Sequence, residues 1–182
     1  PHPDDEVLGC GGIMRKHATA GDIVSVLIVS RGTPKLYSED RIENVRKEAM
    51  EAHQLLGVSE TIFLDFPAPE LDTVSNSEIS KAIADVIKKL KIQTVFLPHR
   101  GDIHNDHRIV FNAGLVACRP VGQYSVKEIY TYETLSETEW AAPFGDDAFI
   151  PTKFVNITEQ MKFKLEAMKC FKSQIRPFPN SR

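Results

Sequence analysis

The run Ile23 to Val29, in which six of the seven residues are apolar and five are β-branched Val or Ile, constrains the fold of this chain more than any other segment. Such a run is typical of a strand buried on both faces of a parallel sheet. Strand-like and helix-like segments alternate along the rest of the chain. The predicted strands are 23–29, 61–64, 93–98 and 126–133, and the predicted helices are 38–56, 75–90, 106–118 and 156–171. A further helix, with Asp4 to Glu6 in or just before its first turn, is predicted to end at Ala20. This alternation predicts an α/β fold, a three-layer sandwich with a mostly parallel sheet.

The first six residues, Pro1-His2-Pro3-Asp4-Asp5-Glu6, form a first motif that contains one imidazole and three carboxylates. Proline fixes its own φ and biases the preceding residue toward extended backbone, so His2 is expected at the end of an extended segment. The carboxylates fall at the start of the following helix, where the helix dipole stabilises negative charge. Taken alone, the motif also fits a capped helix start beside a surface histidine.

A second motif, His104-Asn105-Asp106-His107, follows the predicted strand 93–98. Histidines three residues apart lie on adjacent parts of one helical face, so one can bind a metal ion while the other faces a substrate. Both motifs follow strand positions, and parallel sheets bind ligands where the carboxyl ends of strands meet loops. A catalytic zinc ion takes three protein ligands and keeps one open position. We therefore expect a mononuclear zinc site, with His2, Asp5 and His107 as its ligands.

Together, the two motifs resemble the signature of the LmbE-like, or PIG-L, family of zinc-dependent N-acetylglucosamine deacetylases. The resemblance covers almost the whole chain and includes Gly9-Cys10-Gly11-Gly12, Arg46-Lys47-Glu48 and Val95-Phe96-Leu97-Pro98-His99. It implies one LmbE-like deacetylase domain with a Rossmann-like sheet over residues 1–182. Because family members carry a strand before the first motif and a longer C-terminal segment, it also implies that both are missing from this chain.

The resemblance assigns the same three zinc ligands, His2, Asp5 and His107, with one ion per chain. Two imidazole nitrogens and one carboxylate oxygen suit zinc, but the set would also accept iron(II) or cobalt. Selectivity among these metals depends on their availability in the cell as well as on geometry.

The resemblance also implies catalytic roles. Asp4 is expected to accept the proton of the attacking water, and His104, kept protonated by Asp106, is expected to donate a hydrogen bond to the oxyanion. Arg46 is expected to contact the sugar or its aglycone. Asp72 is a further candidate for substrate contact, because it follows a strand and should lie at the same rim as the motifs.

The expected reaction is hydrolysis of the N-acetyl group of an N-acetylglucosamine-type sugar or conjugate, which gives acetate and a free amine. The alternatives are an amidase that acts on an amino-sugar thiol conjugate and a catalytically silent metal-binding homologue. A silent homologue would have no need of Asp4 beside a metal ligand. Lipid-linked, thiol-precursor, antibiotic and polysaccharide sugars all remain open as substrates.

Composition limits the partners of the chain. With 182 residues, 42% of them hydrophobic, and a net charge of -3, it fits one globular domain and gives no reason to expect nucleic acid. No apolar stretch approaches the roughly 20 residues of a membrane span. The cysteines, Cys10, Cys118 and Cys170, lack metal-ligand spacing and favour a reducing compartment, so a cytoplasmic location is expected. The expected partner is a small N-acetyl amino sugar or glycoconjugate, and a homo-oligomer stays open.

Other features admit two interpretations. The glycines at 9, 11 and 12 resemble part of a dinucleotide-binding loop, but that fingerprint needs a third spaced glycine and an acidic residue after the next strand. His17 and His53 are expected on the surface or in the core without acidic partners. His99 either lines the pocket or ends a strand. Trp140 either packs its loop, which is favoured, or stacks on a sugar face.

Overall fold

The computed structural model describes residues 1–121 and 124–177, and these ranges contain five α-helices and four β-strands. The helices are α1 (Asp5–Ala20), α2 (Glu39–Leu56), α3 (Asn76–Leu90), α4 (Asn105–Ala117) and α5 (Met161–Cys170). The strands are β1 (Ser25–Gly32), β2 (Glu60–Ala68), β3 (Thr94–Pro98) and β4 (Glu128–Tyr132). Short 3₁₀ turns occupy Leu71–Thr73, Thr138–Trp140 and Gly145–Asp147. The predicted α/β fold class is confirmed.

Capping chemistry sets the helix boundaries that the sequence predicted well. Ser38 Oγ accepts a hydrogen bond from the Arg41 N–H (3.4 Å) at the start of α2, and Ser75 Oγ accepts one from the Glu78 N–H (3.2 Å) at the start of α3. Gly21 ends α1 with a φ of 92°, in the left-handed region that glycine adopts without steric cost.

The start of α5 differs from its prediction. The expected helix begins at 156, whereas α5 begins at Met161. The Asn156 Oδ1 atom accepts hydrogen bonds from the Thr158 N–H (3.0 Å) and the Thr158 hydroxyl (2.7 Å). Such local side-chain bonds offer the backbone an alternative to the helix, so the chain turns here before α5 starts.

The chain divides into two compact units, and one of them contains Pro1 and Phe66–Phe149. In this unit β3 and β4 pair in parallel, with Thr94 opposite Glu128 and Pro98 opposite Tyr132. Helix α4 packs against β3 and α3. The contact with β3 is close because a Cβ atom at Gly114 would overlap the Leu97 side chain. The second motif lies at the start of α4, directly after the loop that follows β3.

The other unit contains His2–Asp65 and the segment that begins at Ile150. Strands β1 and β2 are neighbours in its sheet, and helices α1, α2 and α5 pack against one another. Its core includes the fully buried side chains of Val7, Ala49, Leu56 and Phe171. The first motif leads directly into α1, so its carboxylates are fixed to the core of this unit.

No helix in the described parts of the chain combines the length and the apolar character that crossing a membrane would require.

Candidate functional site

The first motif buries its carboxylates at the start of α1. Asp4 is 1% exposed, Asp5 is 0% exposed, and both Asp5 and Glu6 lie in the first helical turn, as the sequence predicted. The backbone N–H of His2 donates to Asp5 Oδ2 (2.9 Å), and His2 Nδ1 lies 3.2 Å from the same oxygen. An imidazole nitrogen and a carboxylate oxygen therefore lie side by side, and both are atoms that zinc binds.

Asp4 occupies the N-cap position of α1 with an unusual backbone conformation, φ 109° and ψ -31°. Residues with a side chain rarely adopt this region, and holding one there costs roughly 1–3 kcal/mol. The Asp4 carbonyl oxygen accepts hydrogen bonds from the N–H groups of Val7 (3.0 Å) and Leu8 (2.9 Å). The Asp4 side chain makes no capping bond to the helix, so its carboxylate does not have the usual task of an N-cap aspartate.

In the second motif, His107 is fully buried on the first turn of α4, and its ring is fixed by Asp102. His107 Nδ1 lies 2.6 Å from Asp102 Oδ2. Because a carboxylate accepts hydrogen bonds, Nδ1 carries the proton, and a metal ion would bind this ring through Nε2. A carboxylate that orients a histidine in this way is typical of metal sites, where it also raises the basicity of the ligand.

Sequence reasoning missed Asp102, which is fully buried and also accepts a hydrogen bond from the Thr138 hydroxyl (2.5 Å). The available signal was its position, five residues before a candidate histidine ligand. The neighbouring Gly101 has a structural reason to be glycine, because a Cβ atom there would overlap the backbone of Asp147. The loop that carries Asp102 is thus packed tightly against the segment around Asp147.

His104 is the N-cap residue of α4, and its Nδ1 atom accepts a hydrogen bond from the backbone N–H of Asp106 (3.1 Å). Nδ1 therefore carries no proton, which places the ring N–H on Nε2. The ring stacks on His107 with centroids 5.4 Å apart. The Asp106 carboxylate accepts a hydrogen bond from the Leu71 N–H (3.3 Å), which fixes the Leu71–Thr73 turn to the start of α4.

The two candidate substrate contacts have different surroundings. Arg46 forms an ion pair with Asp65, and its guanidinium lies 4.8 Å from the centroid of the Phe63 ring. Asp72 is exposed in the turn that Asp106 fixes through Leu71. Arg46 therefore has partners within the protein, whereas Asp72 faces solvent next to an anchored turn.

Four further side chains lie outside the assigned catalytic, metal and substrate residues. The expectation that His17 and His53 lack acidic partners is wrong. His17 Nδ1 lies 2.7 Å from Asp22 on the surface, and the buried His53 ring lies 2.9 Å from Glu6, a residue 47 positions away. His99, at the end of β3, contacts the Asp147 carbonyl oxygen through Nε2 (2.9 Å). Trp140 is 68% exposed, so the expectation that it packs its loop was also wrong.

Cys10 follows the first motif on α1 and is buried. Burial is the main cause that raises the pKa of the Cys10 thiol to about 12, and the nearby Lys164 ammonium opposes this only in part. Since the thiolate is the reactive form, Cys10 is inert at neutral pH and serves packing.

The comparisons with known proteins agree with this geometry. The family model of the GlcNAc-PI de-N-acetylases, PIG-L, matches residues 1–118. An Escherichia coli (strain K12) protein named as the uncharacterized deacetylase YaiS is 33% identical over 178 residues, which span 94% of this chain and 87% of that protein. The diacetylchitobiose deacetylase of Thermococcus kodakarensis is 29% identical over 184 residues, with 96% of this chain and 67% of that protein covered.

A solved structure supports the same relationship. The N,N'-diacetylchitobiose deacetylase of Pyrococcus horikoshii, in complex with its inhibitor MPG, matches with a TM-score of 0.74 and 25% identity. The match covers 97% of this chain and 69% of that one.

Proposed function

Since this chain belongs to the PIG-L family of de-N-acetylases and is an amide-hydrolysing deacetylase, we propose that it acts on an N-acetylglucosamine-type sugar or glycoconjugate. The products would be acetate and a free amino sugar. The observation that carries this proposal is the family match over residues 1–118, which contain both motifs. The two diacetylchitobiose deacetylases among its relatives support a saccharide substrate.

We assign the metal ligands to His2 and Asp5 of the first motif and His107 of the second, which together would supply two imidazole nitrogens and one carboxylate oxygen. The donor set fits zinc, with iron(II) or cobalt as alternatives. Two local observations support the assignment, the pairing of His2 with Asp5 and the orientation of the His107 ring by Asp102. A bound zinc ion would act as a Lewis acid toward the acetamide carbonyl and lower the pKa of a water molecule to about 7.

Asp4 is assigned as the general base. It is buried beside a proposed ligand, and its side chain takes no part in capping α1. A positioned carboxylate can accept the proton of the attacking water and then return it to the leaving nitrogen, a contribution of typically 10²–10⁴-fold in rate. The unusual backbone at Asp4 supports this role, because a residue held in such a costly conformation is typical of functional positions.

His104 is assigned as the hydrogen-bond donor to the carbonyl oxygen as negative charge develops there. Its Nδ1 accepts from the Asp106 backbone, so the donor is Nε2–H, and the ring can act without carrying a net charge. A donor of this kind is worth about 3–4 kcal/mol of transition-state stabilisation. Asp106 fixes both His104 and the turn that carries Asp72, and Asp72 and Arg46 are assigned to substrate contact.

The test is acetate release from a panel of N-acetylglucosaminides, with the metal content measured on the same preparation. The panel includes free N-acetylglucosamine, N,N'-diacetylchitobiose, a phosphatidylinositol-linked sugar and an amino-sugar thiol conjugate. We expect acetate from at least one N-acetylglucosaminide, and release from the Asp4→Asn variant that is slower by about 10²–10⁴-fold. Release from the thiol conjugate alone would identify the rival amidase. A fully metal-loaded protein that releases no acetate from any member would contradict the proposal.

A further inference from the structure

A chain of three hydrogen bonds, two of them buried and one partly buried, leads from strand β2 to the backbone of Asp4. Thr61 Oγ1 lies 2.8 Å from His53 Nδ1, and His53 Nε2 lies 2.9 Å from Glu6 Oε1. The other carboxylate oxygen, Glu6 Oε2, accepts a hydrogen bond from the backbone N–H of Asp4 (3.2 Å). The described contacts of Glu6 thus link α2 and β2 with the residue that precedes α1.

The direction of these bonds follows from the chemistry of the groups. A carboxylate only accepts, so His53 Nε2 and the Asp4 N–H both donate to Glu6. His53 Nδ1 then takes the Thr61 hydroxyl as its partner, and each ring nitrogen is bonded. Glu6 is 8% exposed and His53 is 1% exposed, so water does not compete strongly for these bonds. The position of the Glu6 carboxylate is therefore fixed from the core of the unit.

Asp4 needs such a fixed hydrogen-bond partner because its backbone has a positive φ, which is unfavourable for any residue with a side chain. At a φ of 109° the Asp4 Cβ atom points in a different direction from the one it would take in extended or helical backbone. If the bond to Glu6 were lost, the residue would gain by returning to negative φ. The direction of the Asp4 side chain would then change with its backbone.

We propose that Glu6, oriented by His53 and Thr61, is a positioning residue that holds Asp4 in its left-handed backbone conformation and so directs the Asp4 carboxylate. The catalytic consequence rests on the proposed role of Asp4 as general base. The conformational claim does not depend on that role, and this separates the two in an experiment.

The experiment compares crystal structures of wild type, Glu6→Ala and Glu6→Gln. The alanine removes both bonds, whereas glutamine keeps a side-chain oxygen for the Asp4 N–H and an amide for His53. The expected result is a negative φ at Asp4 in Glu6→Ala and a positive φ in Glu6→Gln. A positive φ in Glu6→Ala would overturn the proposal. If Glu6→Ala does not fold, Glu6→Leu replaces it, because leucine fills the space of the side chain but cannot accept a hydrogen bond from the Asp4 N–H, and the φ of Asp4 decides in the same way.

Kinetics give the second readout. A positioning role predicts that Glu6→Ala lowers kcat about 10–100-fold, with metal content unchanged and KM close to wild type. Glu6→Gln should recover most of this loss. Thr61→Val should lower kcat less, and its matched control Thr61→Ser should behave as wild type.

An unchanged kcat in folded, metal-loaded Glu6→Ala would overturn the positioning role even if its melting temperature fell. If wild type releases no acetate, the proposed function fails, and the φ of Asp4 still decides this inference.

Discussion

The two motifs hold their charged side chains by different means. In the first motif, backbone N–H groups fix the carboxylates, because the His2 N–H donates to Asp5 and the Asp4 N–H donates to Glu6. The backbone at Asp4 is correspondingly unusual, with a φ of 109°. The carboxylates of this segment therefore depend on a particular path of the main chain.

The second motif has an ordinary backbone, with a φ of -78° at His104. Here the buried histidine is held by other side chains, since Asp102 orients His107 and Thr138 donates to Asp102. We therefore expect the first motif to lose activity when a substitution moves its backbone, and the second motif to lose metal affinity when the Asp102 carboxylate is removed.

The largest effect is expected from Asp4→Asn in the first segment. The substitution keeps the size of the side chain but removes the base, so kcat should fall about 10²–10⁴-fold. The metal content should remain stoichiometric, because Asp4 is not one of the proposed ligands. Acetate release and elemental analysis on one preparation provide the measurement. Turnover at the wild-type level would remove Asp4 from the mechanism.

His107→Ala in the second motif should lower zinc affinity by well over 10–100-fold. A loss of 10–100-fold is typical when the mutated residue only hydrogen-bonds to a metal ligand. Zinc titration with a competing chelator measures this effect. The matched control is His17→Ala, because His17 is an exposed histidine whose Nδ1 lies 2.7 Å from Asp22 and which belongs to neither motif. Tight, stoichiometric zinc in His107→Ala would exclude His107 as a ligand.

Asp102→Ala tests whether metal binding by the second motif depends on the side chain that orients His107. Loss of the carboxylate frees the His107 ring to rotate, so zinc affinity should fall about 10–100-fold. Asp102→Asn keeps an oxygen that can accept from His107 Nδ1 and should lose less. Equal and wild-type affinities in both variants would show that the Asp102–His107 bond has no part in metal binding.

Two glycine substitutions compare the packing of the two segments. Gly101→Ala should lower the free energy of unfolding by about 1–3 kcal/mol, because the new Cβ atom would overlap the backbone of Asp147. Gly12→Ala should cost less, because its Cβ atom meets the movable Ile157 side chain and alanine gains about 1 kcal/mol of helix propensity. Urea denaturation measures both. The reverse order would contradict the account of the loop before Asp102.

The smallest effect is expected at Cys10. Because burial raises the pKa of its thiol to about 12, Cys10 should stay unmodified when the native protein is treated with iodoacetamide at pH 8. Mass spectrometry of the peptides measures the labelling, and Cys170, which is only half-buried, provides the comparison. Rapid labelling of Cys10 would show that the start of α1 opens in solution.

Local chemistry explains what the sequence could predict. Ser38 and Ser75 begin their helices as expected, because a serine hydroxyl before an amphipathic segment satisfies an otherwise unpaired N–H. The residues of the first motif also begin α1 as expected. These features depend on neighbours within four or five positions, which a sequence displays directly.

The features that escaped prediction depend on tertiary contacts or on competing local bonds. The Glu6–His53 pair joins residues 47 positions apart, and nothing near His53 in the sequence indicates an acidic partner. The delayed start of α5 comes from an Asn156 side chain that bonds its own backbone neighbours. The exposure of Trp140 depends on which surfaces surround its loop, and aromatic character alone does not decide that.

Anomalous diffraction from zinc-loaded crystals, recorded above and below the zinc absorption edge, tests the proposed metal site most directly. The account predicts one anomalous peak per chain, with nitrogens of His2 and His107 at about 2.0–2.1 Å and an oxygen of Asp5 at about 2.0–2.2 Å. A zinc peak that any of these three residues fails to contact would contradict it.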